Sequence, residues 1–95
     1  MKKNFMCTHT WASEEAKNLF FEQSAEMTDR QMFDGMRTDR AELLANWMGK
    51  EEFFYCHWLA ESEDAIFEAL DKLGLNEVMV SMPHEMPRFV THDNI

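Results

Sequence analysis

Histidine and cysteine are the residues of this 95-residue chain whose side chains could carry acid–base, nucleophilic or metal chemistry, and the chain holds 4 His and 2 Cys. His57 lies among aromatic residues, where a neutral imidazole could move a proton near neutral pH or bind a metal ion. The alternative is a structural role, with His57 hydrogen-bonded to Tyr55, to Thr8 or to a second subunit. His9 precedes Trp11 at the end of an apolar segment, which predicts either a pocket residue or a solvent-facing residue at a strand end.

The cysteines, Cys7 and Cys56, do not form a Cys-x-x-Cys pair, so their spacing predicts neither a zinc knuckle nor a thioredoxin-type site. Cys7 and His9 would share one face of a strand at a separation of about 7 Å, which is too far for a direct hydrogen bond and argues against a Cys–His enzyme. Two unpaired thiols and the absence of a signal-peptide pattern predict a cytoplasmic protein with buried, reduced cysteines.

Acidic neighbours accompany the last two histidines, in the pairs His84-Glu85 and His92-Asp93. Adjacent residues rarely converge on one ion, and the spacing fits no standard zinc pattern, so we predict no metal site and no cofactor. The other acidic pairs lie at predicted helix starts or at a turn, where they are interpreted as capping and solvated residues without a catalytic role.

Methionine and aromatic residues are abundant, with 9 Met beside 8 Phe, 3 Trp and 1 Tyr. Flexible thioethers and aromatic rings adapt to irregular apolar ligands, although core packing alone would also explain them. If they line a cavity, its ligand is apolar, and His9 or Trp11 at the mouth orients a polar head group. The predicted ligand-binding residues are His9, Trp11, Phe20, Met27, Met36, Trp47, Phe54 and Trp58.

The charge balance is acidic, with 9 Lys and Arg against 18 Asp and Glu and a formal net charge of −9. Because phosphate binding needs a basic cluster, this balance argues against nucleic acid as a partner. The longest apolar run, residues 53–60, contains a histidine and is far shorter than the ~20 residues that cross a bilayer, so no membrane span is predicted. A chain of this size buries only roughly 60–65% of its unfolded surface, so part of the apolar surface is predicted to meet a ligand or a partner.

Periodicity divides the chain into elements in the order strand, helix, strand, strand, helix, strand. Ser13 and Ser62 can cap the free amides that open the first and last helices, and Gly74 suits the left-handed position after the last one. The predicted strands cover residues 3–10, 43–48, 53–59 and 76–82, the last of them stopped by Pro83.

A second short helix is predicted after the first, because Thr28 and Gln31 have the spacing of a capping box and Gly35 would end the segment. The predicted domain covers residues 1–83. Residues 84–95 are predicted to be a tail that is disordered unless its apolar side chains dock, for example on a second subunit.

Right-handed crossovers arrange these elements as a four-stranded antiparallel sheet in the order 4-1-3-2 with the helices on one face, an α+β, ferredoxin-like βαββαβ fold. Centring the first strand on the third pairs Cys7 with Cys56, Phe5 with Trp58 and His9 with Phe54. These residues, with Val78, Val80 and Met82, are predicted to lie under the helices.

The other face of the predicted sheet is too apolar to face water alone, which predicts a homodimer through it. A slip of one residue in register would exchange the two faces. The polar members of this predicted interface are Thr8, Tyr55, His57 and Ser81, and its other members are Met6, Asn46, Met48, Phe53, Leu59 and Met79.

The chain from about Asn4 to Met82 resembles the small dimeric ferredoxin-like (dimeric α+β barrel) superfamily. Within it, the chain is most similar to an uncharacterised family of short proteins with a nickel-binding member. The resemblance rests on the element order and on an aromatic-Cys-x-aromatic strand followed by an acidic helix start. Those residues are Tyr55, Cys56, His57 and Trp58, followed by Ala60, Glu61, Ser62, Glu63, Asp64, Ala65 and Ile66. The resemblance implies nickel binding as one alternative, and it implies a relation to cofactor-independent monooxygenases and small isomerases.

Three functions follow as hypotheses. The first is a homodimer that holds a small apolar, acyl-like molecule between sheet and helices. The second is an enzyme that uses the same cavity for oxygenation or isomerisation, with His9 or His57 moving a proton. The third is a metal-binding protein that uses His57 or the tail histidines.

Overall fold

The computed structural model describes all 95 residues and contains a single sheet. The architecture is α+β, with four antiparallel strands and three α-helices. The elements are β1 Lys3–Trp11, α1 Glu14–Gln23, α2 Asp29–Met36, β2 Ala41–Met48, β3 Phe53–Ala60, α3 Glu63–Asp71 and β4 Met79–Glu85, with 3₁₀ turns at Leu75–Glu77 and His92–Asn94. None of the helices is long and apolar enough to cross a bilayer.

The strands lie in the order β2-β3-β1-β4, which is the predicted order read from the opposite edge of the sheet. This arrangement is consistent with a ferredoxin-like fold. β1 and β3 form the centre, and their register is the predicted one, with Cys7 opposite Cys56 and His9 opposite Phe54.

Local side-chain chemistry sets the helix starts as predicted. The Ser13 hydroxyl accepts a hydrogen bond from the Ala16 amide at 3.0 Å, and the Ser62 hydroxyl accepts one from the Ala65 amide at 3.2 Å. Thr28 and its partner three residues later form both bonds of a capping box. Each bond satisfies an amide that has no partner within its helix.

The two glycines that are predicted to end helices differ in backbone conformation. Gly74 has a φ of 68°, the left-handed conformation in which glycine avoids the steric penalty of a side chain. Gly35 does not end α2, because its backbone stays helical and the helix continues to Met36. The predicted second helix, which ends at Asp34, is therefore two residues too short.

The core lies between the helices and one face of the sheet. Alternate residues of β1 and β3 are buried there, and α3 contributes most of the covering side chains. His9 is the one polar residue among the 16 buried residues. The apolar members are Phe5, Cys7, Met36, Ala41, Leu43, Phe54, Cys56, Trp58, Ala60, Ala65, Ile66, Ala69, Leu70, Leu75 and Met79.

The predicted faces of the fourth strand are wrong by one residue. Residues 75–77 form a 3₁₀ turn, so β4 begins at Met79 and continues through Pro83 to Glu85. Proline is tolerated there because β4 is an edge strand. Met79 consequently points into the core, whereas Val80 and Met82 are exposed on the other face. Val78 precedes the strand and packs partly buried against the core, as predicted for it.

The predicted faces of the second strand change at a bulge. The register with β3 shifts between Leu43 and Ala45, so Leu44 is an extra residue without a partner across the ladder. After the bulge, Trp47 pairs with Tyr55 and Met48 pairs with Phe54. Asn46 and Met48 therefore lie on the helix side of the sheet, and Trp47 does not.

Candidate functional site

A cavity of about 220 Å³ opens between the sheet and the α1–α2 segment. An engineered apolar cavity of about 150 Å³ binds benzene, so this one has room for a somewhat larger molecule. Fourteen of its 19 lining residues are hydrophobic. The 19 lining residues are His9, Phe20, Phe21, Ser24, Met27, Thr28, Asp29, Met32, Phe33, Met36, Leu43, Asn46, Met48, Phe54, Cys56, Trp58, Leu70, Leu75 and Met79.

His9 is the one fully buried residue among the polar residues that line this cavity, and it is 0% exposed. Its ring stacks on Phe54, with the centroids 5.0 Å apart and the planes inclined by 18°. Nδ1 lies 2.8 Å from the Ser81 hydroxyl, but the other ring nitrogen, Nε2, is buried without a hydrogen-bond partner. Burial lowers the pKa of His9 from 6.5 to about 4, so the imidazole is neutral at neutral pH.

The bond to Ser81 lets His9 present either hydrogen-bonding character at Nε2. If the serine hydroxyl donates to Nδ1, then Nε2 carries the proton and is a donor. If Nδ1 donates to the hydroxyl oxygen, then Nε2 is an acceptor. Rotation of the Ser81 hydroxyl group therefore switches Nε2 of His9 between a donor and an acceptor.

Trp58 is a second buried side chain in the cavity wall with an unpaired polar atom. It is 0% exposed, and its Nε1–H has no acceptor. Trp58 lies opposite Phe5, whereas His9 lies opposite Phe54, so the two residues are four positions apart along the strands. At about 3.3 Å per residue this separation is roughly 13 Å between backbones, so the two unpaired nitrogens belong to different parts of the wall.

The cysteines are close to His9 but do not form a nucleophilic pair with it. Cys7 Sγ lies 4.0 Å from His9 Nδ1, within reach of a weak hydrogen bond to sulfur, so the predicted separation of about 7 Å is wrong. Burial raises the pKa of Cys7 to about 12 and that of Cys56 to about 11, so both thiols stay protonated. Both are free and buried, as predicted.

Six of the eight predicted ligand-binding residues line the cavity: His9, Phe20, Met27, Met36, Phe54 and Trp58. Trp11 does not line it, and its ring packs against Phe20 at 5.2 Å and Phe54 at 4.7 Å, behind the cavity wall. Trp47 is 53% exposed on the opposite face of the sheet, because of the bulge in β2. His9 is buried in the wall rather than at the predicted mouth.

Several lining residues were not predicted. Asn46, Met48 and Met79 were assigned to the opposite face, and the bulge and the late start of β4 explain the difference. Phe21 and Asp29 lie on either side of the break between α1 and α2, where they close one end of the cavity. The capping box at Thr28 signals that break in the sequence, but not which side chains turn inwards.

The opposite side of the sheet, which we call the open face, is covered by no part of the chain. Thr8, Tyr55 and His57 lie on it as predicted, with His57 Nε2 2.9 Å from Asn4 Oδ1. Ser81 does not, because it pairs with His9 on the helix side. The open face comprises Asn4, Met6, Thr8 and Thr10 of β1, Phe53, Tyr55, His57 and Leu59 of β3, Glu42, Leu44, Ala45 and Trp47 of β2, and Val80, Met82 and His84 of β4.

The tail leaves β4 at Glu85, and the Met86 amide extends the ladder by donating to the Asn4 carbonyl oxygen at 2.8 Å. Phe89 beyond it is 73% exposed. The structure contains no group of three or more His, Cys, Asp and Glu side chains arranged to hold a metal ion.

The cavity and the open face are thus the two features of the molecule with functional character, one concave with a buried histidine and the other flat and apolar. The chain matches no protein-family model, and neither a curated protein nor a solved structure shows significant similarity to it.

Proposed function

We propose that this protein binds a small, mainly apolar molecule in the cavity between the sheet and the α1–α2 segment. The observation that carries the proposal is the cavity itself, whose apolar wall contains a fully buried histidine with an unpaired nitrogen. Leaving such a group unpaired costs roughly 1–3 kcal/mol, so a bound molecule that satisfied it would gain affinity.

The lining supports a ligand of irregular shape. Met27, Met32, Met36 and Met48 all contribute to it, and the unbranched thioether side chain adapts to different apolar surfaces. Met27 is 39% exposed and lies where the cavity meets solvent, so it also controls entry.

Binding is tested by titrating ¹⁵N-labelled protein with a panel of molecules of matched size: toluene, 1-hexanol, 2-hexanone, pentanoate and hexylammonium. At least one is expected to bind with 1:1 stoichiometry and to shift the amide signals of the cavity lining together with the indole N–H signal of Trp58. If no member of the panel produces saturable shifts in those residues, the proposed function is wrong.

The matched control compares two methionine substitutions at similar exposure. Met27→Trp places a larger side chain at the cavity mouth and is expected to weaken binding at least tenfold. Met86→Trp changes a residue that is 42% exposed and outside the cavity, and it is expected to keep wild-type affinity. Equal affinities in the two variants would place the binding site elsewhere.

We also propose that the open face joins two copies of the chain into a homodimer. Its two central strands present no charged side chain there, although the chain carries a net charge of −9. Trp47, Phe53 and Val80 are each about half exposed on this face, and a contiguous apolar patch of this kind is typical of an interface. A second copy suits it because the uncharged central strands of two copies would not repel each other.

Dimerisation is tested by sedimentation or scattering of the wild type and of two glutamate variants. Tyr55→Glu puts a charge near the middle of the open face and is expected to give monomers. Leu19→Glu changes a residue of similar exposure on α1 and is expected to remain dimeric. A wild type that is monomeric at micromolar concentration would contradict the proposal.

Because β4 continues to Glu85, the predicted tail of residues 84–95 is shortened to residues 86–95. This tail is proposed to dock on the second subunit, since Phe89 and Ile95 are otherwise exposed apolar side chains. Phe89→Ser is then expected to raise the dissociation constant of the dimer. The order of the elements and of the strands supports a relation to the dimeric α+β barrel superfamily, which is part of the same proposal.

A further inference from the structure

An apolar ligand alone does not account for His9. A buried histidine with one nitrogen unpaired is costly, and a leucine or phenylalanine would serve a purely apolar cavity without that cost. The side chain is also held in place, since Ser81 bonds Nδ1 and Phe54 stacks on the ring. Nε2 therefore has a defined position and direction.

The charges around the cavity limit what polar group could meet His9. The lining contains no Lys or Arg, and its one ionisable acid is Asp29, in the exposed first turn of α2. The imidazole is neutral because it is buried. An anionic head group would thus be buried without an opposite charge, which is strongly unfavourable.

A cation is disfavoured for a related reason. The only negative charge on the lining, Asp29, is exposed, so an ammonium group paired with it would stay in solvent at the rim and leave His9 unsatisfied. An uncharged oxygen loses far less on leaving water, and one hydrogen bond compensates it.

We propose that the cavity takes an uncharged molecule whose apolar body carries one oxygen function, a hydroxyl or a carbonyl group, hydrogen-bonded to Nε2 of His9. This inference rests on the proposed function and specifies the class of ligand. Both oxygen functions fit, because the Ser81 hydroxyl can donate to Nδ1 or accept from it. Neutral alcohols, ketones, aldehydes and esters belong to the class, whereas free fatty acids and amines do not.

The same matched panel tests the class of ligand, now by comparing affinities. We expect 1-hexanol and 2-hexanone to bind about tenfold more tightly than toluene, the typical effect of one hydrogen bond to a buried partner. Pentanoate and hexylammonium are expected to bind more weakly than either. His9→Phe is expected to remove the preference for 1-hexanol over toluene.

A second measurement does not depend on a substitution that could disturb folding. The ring nitrogen signals of His9 in the wild type are followed by ¹⁵N NMR during the titration. Binding of 1-hexanol or 2-hexanone is expected to shift the Nε2 signal, and toluene is expected to leave it nearly unchanged.

The outcomes separate the two proposals. Binding of several panel members with equal affinity, tightest binding of pentanoate or hexylammonium, or an Nε2 signal that does not respond to the neutral oxygen compounds would overturn this inference and leave the proposed function standing. Absence of binding by every member would overturn both. Selective binding of the two neutral oxygen compounds with a shifted Nε2 signal supports both.

Discussion

The stability of the fold is predicted to depend on pH through one buried residue, His9. The pKa of His9 is about 4 in the folded protein, against the ordinary histidine value of 6.5 in the unfolded chain. The unfolded chain therefore binds a proton as the pH falls below about 6.5, and the folded protein binds it only near pH 4. The contribution of His9 to the free energy of unfolding is fully present above pH 6.5. It decreases as the pH falls towards about 4, and it changes little below that.

The magnitude follows from the size of the shift. One pKa unit corresponds to 1.36 kcal/mol, so a shift of about 2.5 units gives a limiting loss of about 3 kcal/mol. At about pH 4.5 most of this loss has occurred, and we expect a loss of about 2–3 kcal/mol relative to about pH 7.5. For a domain of this size such a loss is a large fraction of the free energy of unfolding.

The assay is urea unfolding of the wild type, His9→Gln and His92→Gln at both pH values. All measurements use one protein concentration, because dimerisation would make stability depend on concentration. Each variant differs from the wild type at one residue, so the informative quantity is the difference between variants. His9→Gln is expected to lose about 2–3 kcal/mol less than the wild type on acidification. His92 is exposed, and its variant is expected to follow the wild type. Equal pH dependence in the wild type and His9→Gln would refute the reasoning.

Further predictions concern backbone conformation, core packing and the accessibility of the thiols. Gly74→Ala is expected to lower the free energy of unfolding by about 1–2 kcal/mol, because Gly74 has a positive φ. Gly35→Ala is expected to raise it by about 0.5–1 kcal/mol, because Gly35 is helical and an added Cβ would meet only the Leu73 side chain. Both are measured in the same urea assay. Ile66→Ala removes a fully buried core side chain and should cost about 2–5 kcal/mol, measured by thermal unfolding. Both cysteines should resist alkylation in the folded protein and react only on unfolding, as followed by mass spectrometry.

The centre of the fold could be predicted from the sequence because local and long-range signals agree there. β1 and β3 alternate cleanly over eight or nine residues, and their pairing puts two cysteines opposite each other as expected. Ser13, Thr28 and Ser62 mark helix starts by a mechanism that operates within four residues, so tertiary structure is not needed to read it.

The edge strands could not be predicted in the same detail because their sequences carry little alternation. Leu43 and Leu44 are both apolar, so nothing in the pattern reveals that one of them is an unpaired residue at a bulge. In β4 apolar residues fall on both faces, with Met79 on one and Val80 and Met82 on the other, and the strand begins at Met79, three residues later than predicted. Since a slip of one residue exchanges the faces, Trp47 and Ser81 both moved to the side opposite the predicted one.

These two corrections exchange residues between the cavity and the open face, and they bear on both proposals. Trp47 leaves the cavity and enlarges the apolar area of the open face, together with Val80. Ser81 leaves the open face and becomes the hydrogen-bond partner that orients His9. The open face thereby loses a polar group and gains a large ring, which favours burial against a second copy. The cavity gains the Ser81 contact, which lets Nε2 of His9 be either a donor or an acceptor. The argument for an uncharged, oxygen-bearing ligand therefore depends on the register of β4, which the sequence pattern alone leaves ambiguous.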